Sequence, residues 1–247
     1  MPLPESPSEP KRPEREPWRI ELLIVFLAIL MPATVIVVGG LILNWAVRPT
    51  VPVVHDEQNP LVRKFRHVGF EIGRDHEDNI QVITTPNPLL VTDRDLALVT
   101  GLPELRVLDL RGTQITDAAL EHLKDLPQIQ ELYVGGSVVT DTEPTLFHAR
   151  FTDHAVDPLV KLTTLKVLSL AKTDIGDPAV AQLPALPHLE VLFLLGTKVT
   201  DDCVESLAQM KSLKELYLQE TAVTPAALEK LRAELPDTKI LPLAEST

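Results

Sequence analysis

Carboxylates, imidazoles and one thiol are the side chains of this sequence that could do chemistry. Acidic residues and histidines gather between positions 141 and 157, and both types of side chain can bind metal ions. The candidates are Asp141, Glu143, His148, Asp153, His154 and Asp157. No spacing among them matches an established ligand pattern. We therefore expect a solvated loop at this position, with neither a metal nor a cofactor.

The thiol of Cys203 is the other candidate, because it directly follows Asp201 and Asp202 at a predicted helix start. A helix N-terminus lowers a thiol pKa, whereas two neighbouring carboxylates raise it. A small buried residue on a helix would look the same. The sequence also lacks a glycine-rich phosphate loop, a Gly-x-Ser-x-Gly elbow and a His-Glu-x-x-His motif. We predict that the protein is not an enzyme.

Composition limits the remaining classes of function. The chain of 247 residues carries 35 acidic and 23 basic residues, a net charge of -12. This charge argues against nucleic-acid binding, which requires a clustered cationic face. Hydrophobic residues make up 45% of the chain but aromatic residues only 4%, so the core must be aliphatic. A single cysteine cannot form an intrachain disulfide, so stability must come from packing.

A repeated tripeptide organises the elements that would position any site. Copies of an apolar residue followed by Thr-Asp recur 24 residues apart, with a single shorter step of 12 residues. A period in this range indicates a solenoid, whose units bury their apolar faces against their neighbours. The full copies start at Val91, Ile115, Val139, Phe151 and Val199, and degenerate copies start at Ile175 and Val223.

Each unit predicts one strand and one short helix. Leu105, Leu108 and Leu110, with their counterparts in later units, alternate as in a buried strand that pairs in parallel with the next. Thr113 follows at the bend, where its hydroxyl can bond the local backbone. We expect the motif aspartates, such as Asp117, to cap the helix that follows.

The step of 12 residues predicts an insertion near residues 138–149 that leaves the solenoid as a loop. Insertions of this kind concentrate on surfaces that carry function. The sequence does not reveal the role of this one.

The pattern Leu-x-x-Leu-x-Leu-x-x-Thr-x-Ile-Thr-Asp, from Leu105 to Asp117, resembles a leucine-rich repeat. The 24-residue units are similar to those of bacterial membrane-anchored leucine-rich-repeat proteins. This resemblance implies an α/β solenoid with a short parallel sheet on the concave side and short helices on the convex side. The repeats also resemble those of F-box substrate adaptors, but threonine stands where that subclass favours cysteine, and no F-box precedes them.

In such a fold the non-core strand positions would face a protein partner. Aromatic anchors among polar residues are typical of interface hot spots. Aromatic side chains also suit any sheet surface, where they pack across strands, so this alternative stays open. The predicted protein-binding residues are Asp109, Arg111, Tyr133, Ser169, Phe193, Tyr217 and Gln219.

An uncharged run from Leu22 to Leu43 predicts a transmembrane helix over residues 20–47. As a helix its 22 residues would extend roughly 33 Å, enough to cross a bilayer. A cleaved signal peptide is the alternative, but its apolar region normally covers only about 7 to 15 residues. Four basic residues precede the run and only Arg48 follows closely, which favours a cytoplasmic N-terminus and extracytoplasmic repeats.

The remaining boundaries follow from composition. Residues 1–19, rich in Pro, Glu and Arg, predict a disordered cytoplasmic tail, and residues 48–67 predict a stalk linker. Residues 68–90 predict a hairpin that caps the first repeat. Residues 91–247 hold the repeats, with a closing strand near residues 235–241.

Three functional hypotheses follow. In the leading one, a single-pass membrane protein holds its repeats outside the cytoplasm and presents them to a protein partner. The alternative is a structural envelope protein, a spacer or self-associating unit without a dedicated partner. A third hypothesis places the repeats in the cytoplasm as a scaffold.

Overall fold

The computed structural model describes residues 37–38, 41–42, 59–136 and 151–242. The chain divides into two compact units, residues 1–47 and 48–247. Several predicted features lie outside the described residues: the tail 1–19, most of the membrane helix 20–47, the stalk up to residue 58 and the insertion near 138–149.

The first unit contains two short strands, β1 (Val37–Val38) and β2 (Leu41–Ile42), which pair antiparallel. At these four residues the structure differs from the helix that the apolar run predicts. Among the described residues, no helix is both long and apolar enough to cross a membrane.

An eight-stranded sheet forms the framework of the second unit, in the spatial order β10-β9-β8-β7-β6-β5-β4-β3. Strands β3 and β4 pair antiparallel, and every other neighbouring pair is parallel. This confirms the predicted parallel sheet with one strand from each unit. The strands are β3 (Glu71–Arg74), β4 (Ile80–Thr84), β5 (Val107–Asp109), β6 (Glu131–Tyr133), β7 (Val167–Ser169), β8 (Val191–Phe193), β9 (Glu215–Tyr217) and β10 (Lys239–Leu241).

Short helices connect these strands. They are α1 (Pro60–His67), α2 (Asp117–Leu120), α3 (Val156–Leu159), α4 (Asp177–Val180), α5 (Val204–Leu207) and α6 (Pro225–Glu234). Single 3-10 turns complete the connections at Pro88–Leu90, Asp95–Leu98, Glu121–Leu123, Asp153–Ala155, Leu183–Ala185 and Asp201–Cys203.

Aliphatic columns fill the interior, as the composition predicted. Leu108, Leu132, Leu168, Leu192 and Leu216 lie side by side in the strand register and are completely buried. After β5, β7, β8 and β9 a threonine hydroxyl donates to the carbonyl oxygen three residues earlier, at 2.6 to 2.7 Å, and these residues are Thr113, Thr173, Thr197 and Thr221. These hydrogen bonds turn the chain out of the strand.

The Thr-Asp motif links consecutive units, which differs from the predicted role of its aspartate. Threonine is the N-cap residue, and aspartate is the first residue of the helix or 3-10 turn. Each aspartate instead accepts hydrogen bonds from the backbone N–H and hydroxyl of the next unit's threonine, at 2.5 to 3.0 Å. The pairs are Asp93–Thr116, Asp117–Thr152, Asp177–Thr200 and Asp201–Thr224. We call this series the clamp ladder.

The clamp ladder has one incomplete rung. Asp153 meets Gly176, which offers only its backbone N–H, at 2.7 Å. The clamp ladder also connects the units on either side of the insertion, because Asp117 accepts hydrogen bonds from Thr152, 35 residues later in the chain. The insertion therefore leaves the stacking of the units unbroken.

Residues 60–67, which the sequence assigned to the stalk, form helix α1 instead. Asn59 caps the helix by accepting the N–H of Leu61 at 2.9 Å, and Pro60 occupies its first position, where the lack of an N–H costs nothing. Val62 and Phe65 are 3% and 1% exposed and belong to the core. Because α1 buries these side chains, it is part of the N-terminal cap together with the β3–β4 hairpin.

Helix α6 and strand β10 close the other end of the sheet. The Thr224 hydroxyl caps α6 by accepting the N–H of Ala227 at 3.3 Å, with Pro225 in the first helical position. Strand β10 pairs in parallel with β9 and buries Ile240 to 2% exposure. The last repeat thus covers its core with a longer helix and a final strand.

Candidate functional site

The predicted site residues converge on one face of the sheet. The strand register places Asp109, Tyr133, Ser169, Phe193 and Tyr217 next to one another on five consecutive strands. Arg111 and Gln219 lie two residues beyond the first and last of these. We call the surface formed by these seven residues the sheet face.

A charged and aromatic cluster occupies the first part of the sheet face. Arg111 donates to both carboxylate oxygens of Asp109, at 2.8 Å from Nε and 2.5 Å from Nη2. Its guanidinium lies over the ring of Tyr133, 5.1 Å from the centroid. The Tyr133 hydroxyl in turn donates to Glu131 Oε2 at 3.0 Å. These contacts hold each side chain in one orientation.

The environment also settles the protonation of this cluster. Burial lowers the pKa of Arg111, but the hydrogen bonds and charge of Asp109 outweigh it and leave the pKa above its ordinary value. Burial, followed by the carboxylate of Glu131, raises the pKa of the Tyr133 hydroxyl. At neutral pH the cluster therefore combines a guanidinium cation with a neutral phenol.

Two stacked aromatic rings form the second part. The centroids of Phe193 and Tyr217 are 4.4 Å apart, and their planes are inclined by 19°. The Tyr217 hydroxyl donates to the Glu215 carboxylate. Burial and this carboxylate raise the pKa of Tyr217. Each tyrosine thus donates to the glutamate two residues before it on its own strand.

Exposure differs sharply across the sheet face. Tyr133, Ser169 and Tyr217 are only 3%, 4% and 4% exposed, whereas Asp109, Arg111, Phe193 and Gln219 are half-buried. The tyrosines therefore act mainly as supports for their neighbours. The side chains open to a partner are those of Phe193 and the Asp109–Arg111 pair.

Gln219 adds an unsatisfied group to the second part of the sheet face. Its side-chain oxygen is buried and has no hydrogen-bond partner among the described residues. A buried amide oxygen without a donor is costly, and natural structures seldom retain one.

Sequence reasoning missed two features beside these residues. Glu131 and Glu215 orient the tyrosines, and their position two residues earlier on the same strand face could have indicated it. Lys172 and Glu220 form an ion pair across two units, and the Lys172 chain passes over Gly196. Lys172 and Glu220 have positive φ angles, 57° and 56°, and the equivalent position of the unit between them is occupied by Gly196. The sequence signal for this ion pair was the presence of two charged residues at a repeat position that otherwise holds glycine.

Comparison with protein families identifies the repeat. A family model described as Leucine Rich repeat matches residues 102–124 and 161–183. Each of these segments contains one unit of the solenoid: a turn, the strand that follows it and a short helix.

The chain contains leucine-rich repeats. Comparison of the chain with curated protein sequences gave no match. Among solved structures it is similar to an LRR protein of Leptospira interrogans, at 24% identity and a TM-score of 0.44, over 58% of this chain and 33% of that one.

Two further solved structures are similar over parts of their length. Internalin C2 of Listeria monocytogenes shares 21% identity over 74% of this chain and 92% of its own, with a TM-score of 0.39. A plant peptide hormone receptor shares 16% identity, with a TM-score of 0.39, over 59% of this chain and 22% of its own. The chain thus spans about a third of the Leptospira chain and about a fifth of the receptor.

Two of the predicted chemical candidates, Cys203 and Asp153, take part in the packing and hydrogen bonding of the repeats. Cys203 is 1% exposed, and burial, then Asp177 and Asp201, raise its pKa to about 12. Asp153 is engaged in the clamp ladder, and His154 Nδ1 lies 3.5 Å from Asp157 Oδ2. Within the described ranges, no three His, Cys, Asp or Glu residues are grouped so as to hold a metal ion. Asp141, Glu143 and His148 lie outside those ranges.

Proposed function

We propose that this protein is a single-pass membrane protein whose leucine-rich repeats present the sheet face to a protein partner, without catalysis. The observation that carries the proposal is the convergence of Phe193, the Asp109–Arg111 pair and Gln219 on that face. An aromatic anchor beside oriented charged groups is the combination found at interface hot spots.

Preorganisation supports the same proposal. Arg111 is held by two hydrogen bonds to Asp109 and by the ring of Tyr133, and Phe193 is stacked on Tyr217. Side chains that are already ordered lose little entropy on binding. Glu131 and Glu215 add negative charge on the same strands. The matching partner surface carries an apolar group for Phe193 and hydrogen-bond donors for the carboxylates.

Anchoring and orientation belong to the proposal as well. The apolar run from Leu22 to Leu43 would serve as the transmembrane segment, with the N-terminus in the cytoplasm and the repeats outside it. This anchoring requires Val37–Val38 and Leu41–Ile42 to exchange their antiparallel pairing for a helix in the bilayer. Protease shaving of intact cells tests this orientation. Digestion of the repeats from outside is expected, and their protection would place them in the cytoplasm instead.

Site-specific crosslinking tests the binding surface. A photoreactive phenylalanine derivative at position 193 of the full chain should crosslink a defined protein in the native membrane. The same derivative at Lys161, an exposed residue two positions after helix α3, is the control. Adding Arg111→Ala should reduce the yield from position 193. Equal yields from positions 193 and 161 would refute the sheet face as the binding surface.

A second function is a spacer or self-associating envelope protein. The low exposure of Tyr133, Ser169 and Tyr217 favours it, because these residues then serve only to pack the sheet. Sedimentation of the detergent-solubilised chain separates the two functions. A monomer, combined with a crosslink from position 193 to another protein, excludes self-assembly.

A further inference from the structure

The N-terminal cap contains a cleft of about 660 Å³. One wall is the face of α1 that carries Pro60, Arg63, Lys64 and His67, which are spaced to lie on the same side of a helix. The other wall is the 3-10 turn Asp95–Leu98 with the residue before it, Arg94.

The cleft is cationic although the chain is strongly acidic. Arg63, Lys64, His67 and Arg94 are exposed, and none of them forms an ion pair within the part of the chain that the structure describes. Asp95 is the lining carboxylate, and it accepts the N–H and hydroxyl of Thr92 at 2.9 and 2.8 Å. Positive charge therefore faces the cleft from both walls.

Helix electrostatics explain only part of this arrangement. Cations in the last turn of a helix interact favourably with its dipole, which accounts for Lys64. Arg94 belongs to a different element and faces the same cleft. The convergence of charge from two elements indicates a ligand that is itself anionic.

Exposed leucines accompany the cationic cleft. Leu61, Leu89 and Leu90 are 40%, 49% and 59% exposed, and they are the large hydrophobic residues most open to solvent in the described ranges. All three belong to the N-terminal cap. Leu90 lies beside Gly69, the second residue after α1, because a Cβ on Gly69 would come within 3.2 Å of Leu90 Cβ. Basic and apolar side chains together are characteristic of surfaces that lie on a lipid interface.

We infer that this cap binds the surface of an anionic membrane, with lipid phosphates in the cleft between α1 and Arg94 and the leucines in the headgroup region. The inference rests on the proposed anchoring for the presence of the membrane. Asn59 follows Leu43 by 16 residues, which can extend at most about 55 Å, so the cap stays within reach of the bilayer. The net charge of -12 disfavours nucleic acid as the occupant.

Lysine footprinting tests the inference on the full chain. The protein is reconstituted into nanodiscs of phosphatidylcholine alone or with phosphatidylglycerol, and acetylation of Lys64 is compared with that of exposed Lys161. Phosphatidylglycerol should slow acetylation of Lys64 severalfold and leave Lys161 unchanged. Salt at 1 M should remove the protection, because it screens charges beyond about 3 Å.

Charge reversal supplies the matched variants. Each basic side chain near an anionic surface strengthens association by roughly fivefold, so Arg63→Glu with Arg94→Glu should abolish the protection. Lys230→Glu with Lys239→Glu, at the C-terminal cap, should retain it. Circular dichroism spectra that match the parent chain show that both variants are folded.

The inference would be overturned if lipid charge had no effect on the acetylation of Lys64, or if the protection of Lys64 survived charge reversal at positions 63 and 94. It would also be overturned if soluble glycerol phosphate, added to nanodiscs of phosphatidylcholine alone, protected Lys64 equally well. The proposed anchoring has a separate test: it is refuted if alkaline pH extracts the chain from membranes. In that case vesicles added to the free chain still report on the cleft.

Discussion

At the residue scale, Gly176 shows what one hydroxyl contributes to the clamp ladder. Its backbone angles, φ -123° and ψ -164°, nearly equal those of Thr200, φ -123° and ψ -169°. A Cβ at Gly176 would have only ordinary contacts, the nearest at 3.6 Å from Pro178. The position is therefore built for threonine but lacks its side chain.

Gly176→Thr should stabilise the protein by about 1 to 2 kcal/mol. Loss of glycine freedom in the unfolded chain contributes about 0.4 to 1 kcal/mol, and a hydroxyl bond to Asp153 adds about 1 kcal/mol. Urea unfolding followed by circular dichroism measures the change. Gly176→Ala separates the two contributions, and a threonine variant no more stable than the alanine variant would show that the hydroxyl bond does not form.

The two tyrosines give a direct spectroscopic report on the sheet face, because the chain contains no others. Both pKa values lie above the ordinary value of about 10 in the folded state. Folding therefore favours the neutral phenols, and this contribution to stability is complete below about pH 10 and is lost as the pH rises further. Alkaline titration by tyrosinate absorbance should show no midpoint near pH 10 before the protein unfolds. A normal midpoint for both would mean that the sheet face is open to water.

At the scale of the elements, the connection between the units on either side of the insertion depends on Gly135. This residue follows strand β6 with φ 103°, and a Cβ there would lie 2.2 Å from the carbonyl oxygen of Ala171. The N–H of the next residue, Gly136, donates to the same oxygen at 2.9 Å. The close approach of the two chains after β6 and β7 therefore requires glycine.

Gly135→Ala should destabilise the protein by at least about 2 kcal/mol, since backbone strain and a steric clash both oppose it. Gly101→Ala is the matched control, because Gly101 has φ 84° but an open surrounding. Gly101→Ala should lower the free energy of unfolding only by the roughly 1 to 2 kcal/mol that the left-handed conformation costs a residue with a side chain. Equal losses for the two variants in urea unfolding would show that the contact with Ala171 is unimportant.

At the scale of the whole molecule, the two caps decide how the solenoid ends. A repeat array buries each unit only against its neighbours, so its terminal units expose core unless something covers them. Helix α1 covers the first end with Val62 and Phe65, and the Phe65 ring packs 5.8 Å from that of Phe70. The other end is covered by α6 and β10.

Phe65→Ala should cost about 3 to 5 kcal/mol, as expected for truncation of a fully buried aromatic residue. Leu61→Ala, on the same helix but 40% exposed, should change the free energy of unfolding by less than about 0.5 kcal/mol. Urea unfolding of both variants measures the difference. A small effect of Phe65→Ala would mean that residues 60–67 act as a loose stalk after all.

The sequence by itself determined the repeat and the composition of its columns. A 24-residue period with leucines at alternating positions permits only stacked units with one strand each, so Leu108 and its counterparts were correctly placed in the core. The same register brought Asp109, Tyr133, Ser169, Phe193 and Tyr217 to one face. These features follow from spacing within a unit, which is local information.

Only the tertiary structure decided how these residues are used. The partner of Asp117 is Thr152 in the next unit, and no rule of local capping could assign it. The burial of Tyr133 and Tyr217, the packing of α1 and the cleft it forms with Arg94 likewise depend on contacts between distant segments. Local spacing identifies which residues share a face, whereas their exposure, partners and charge environment arise only when the units are stacked.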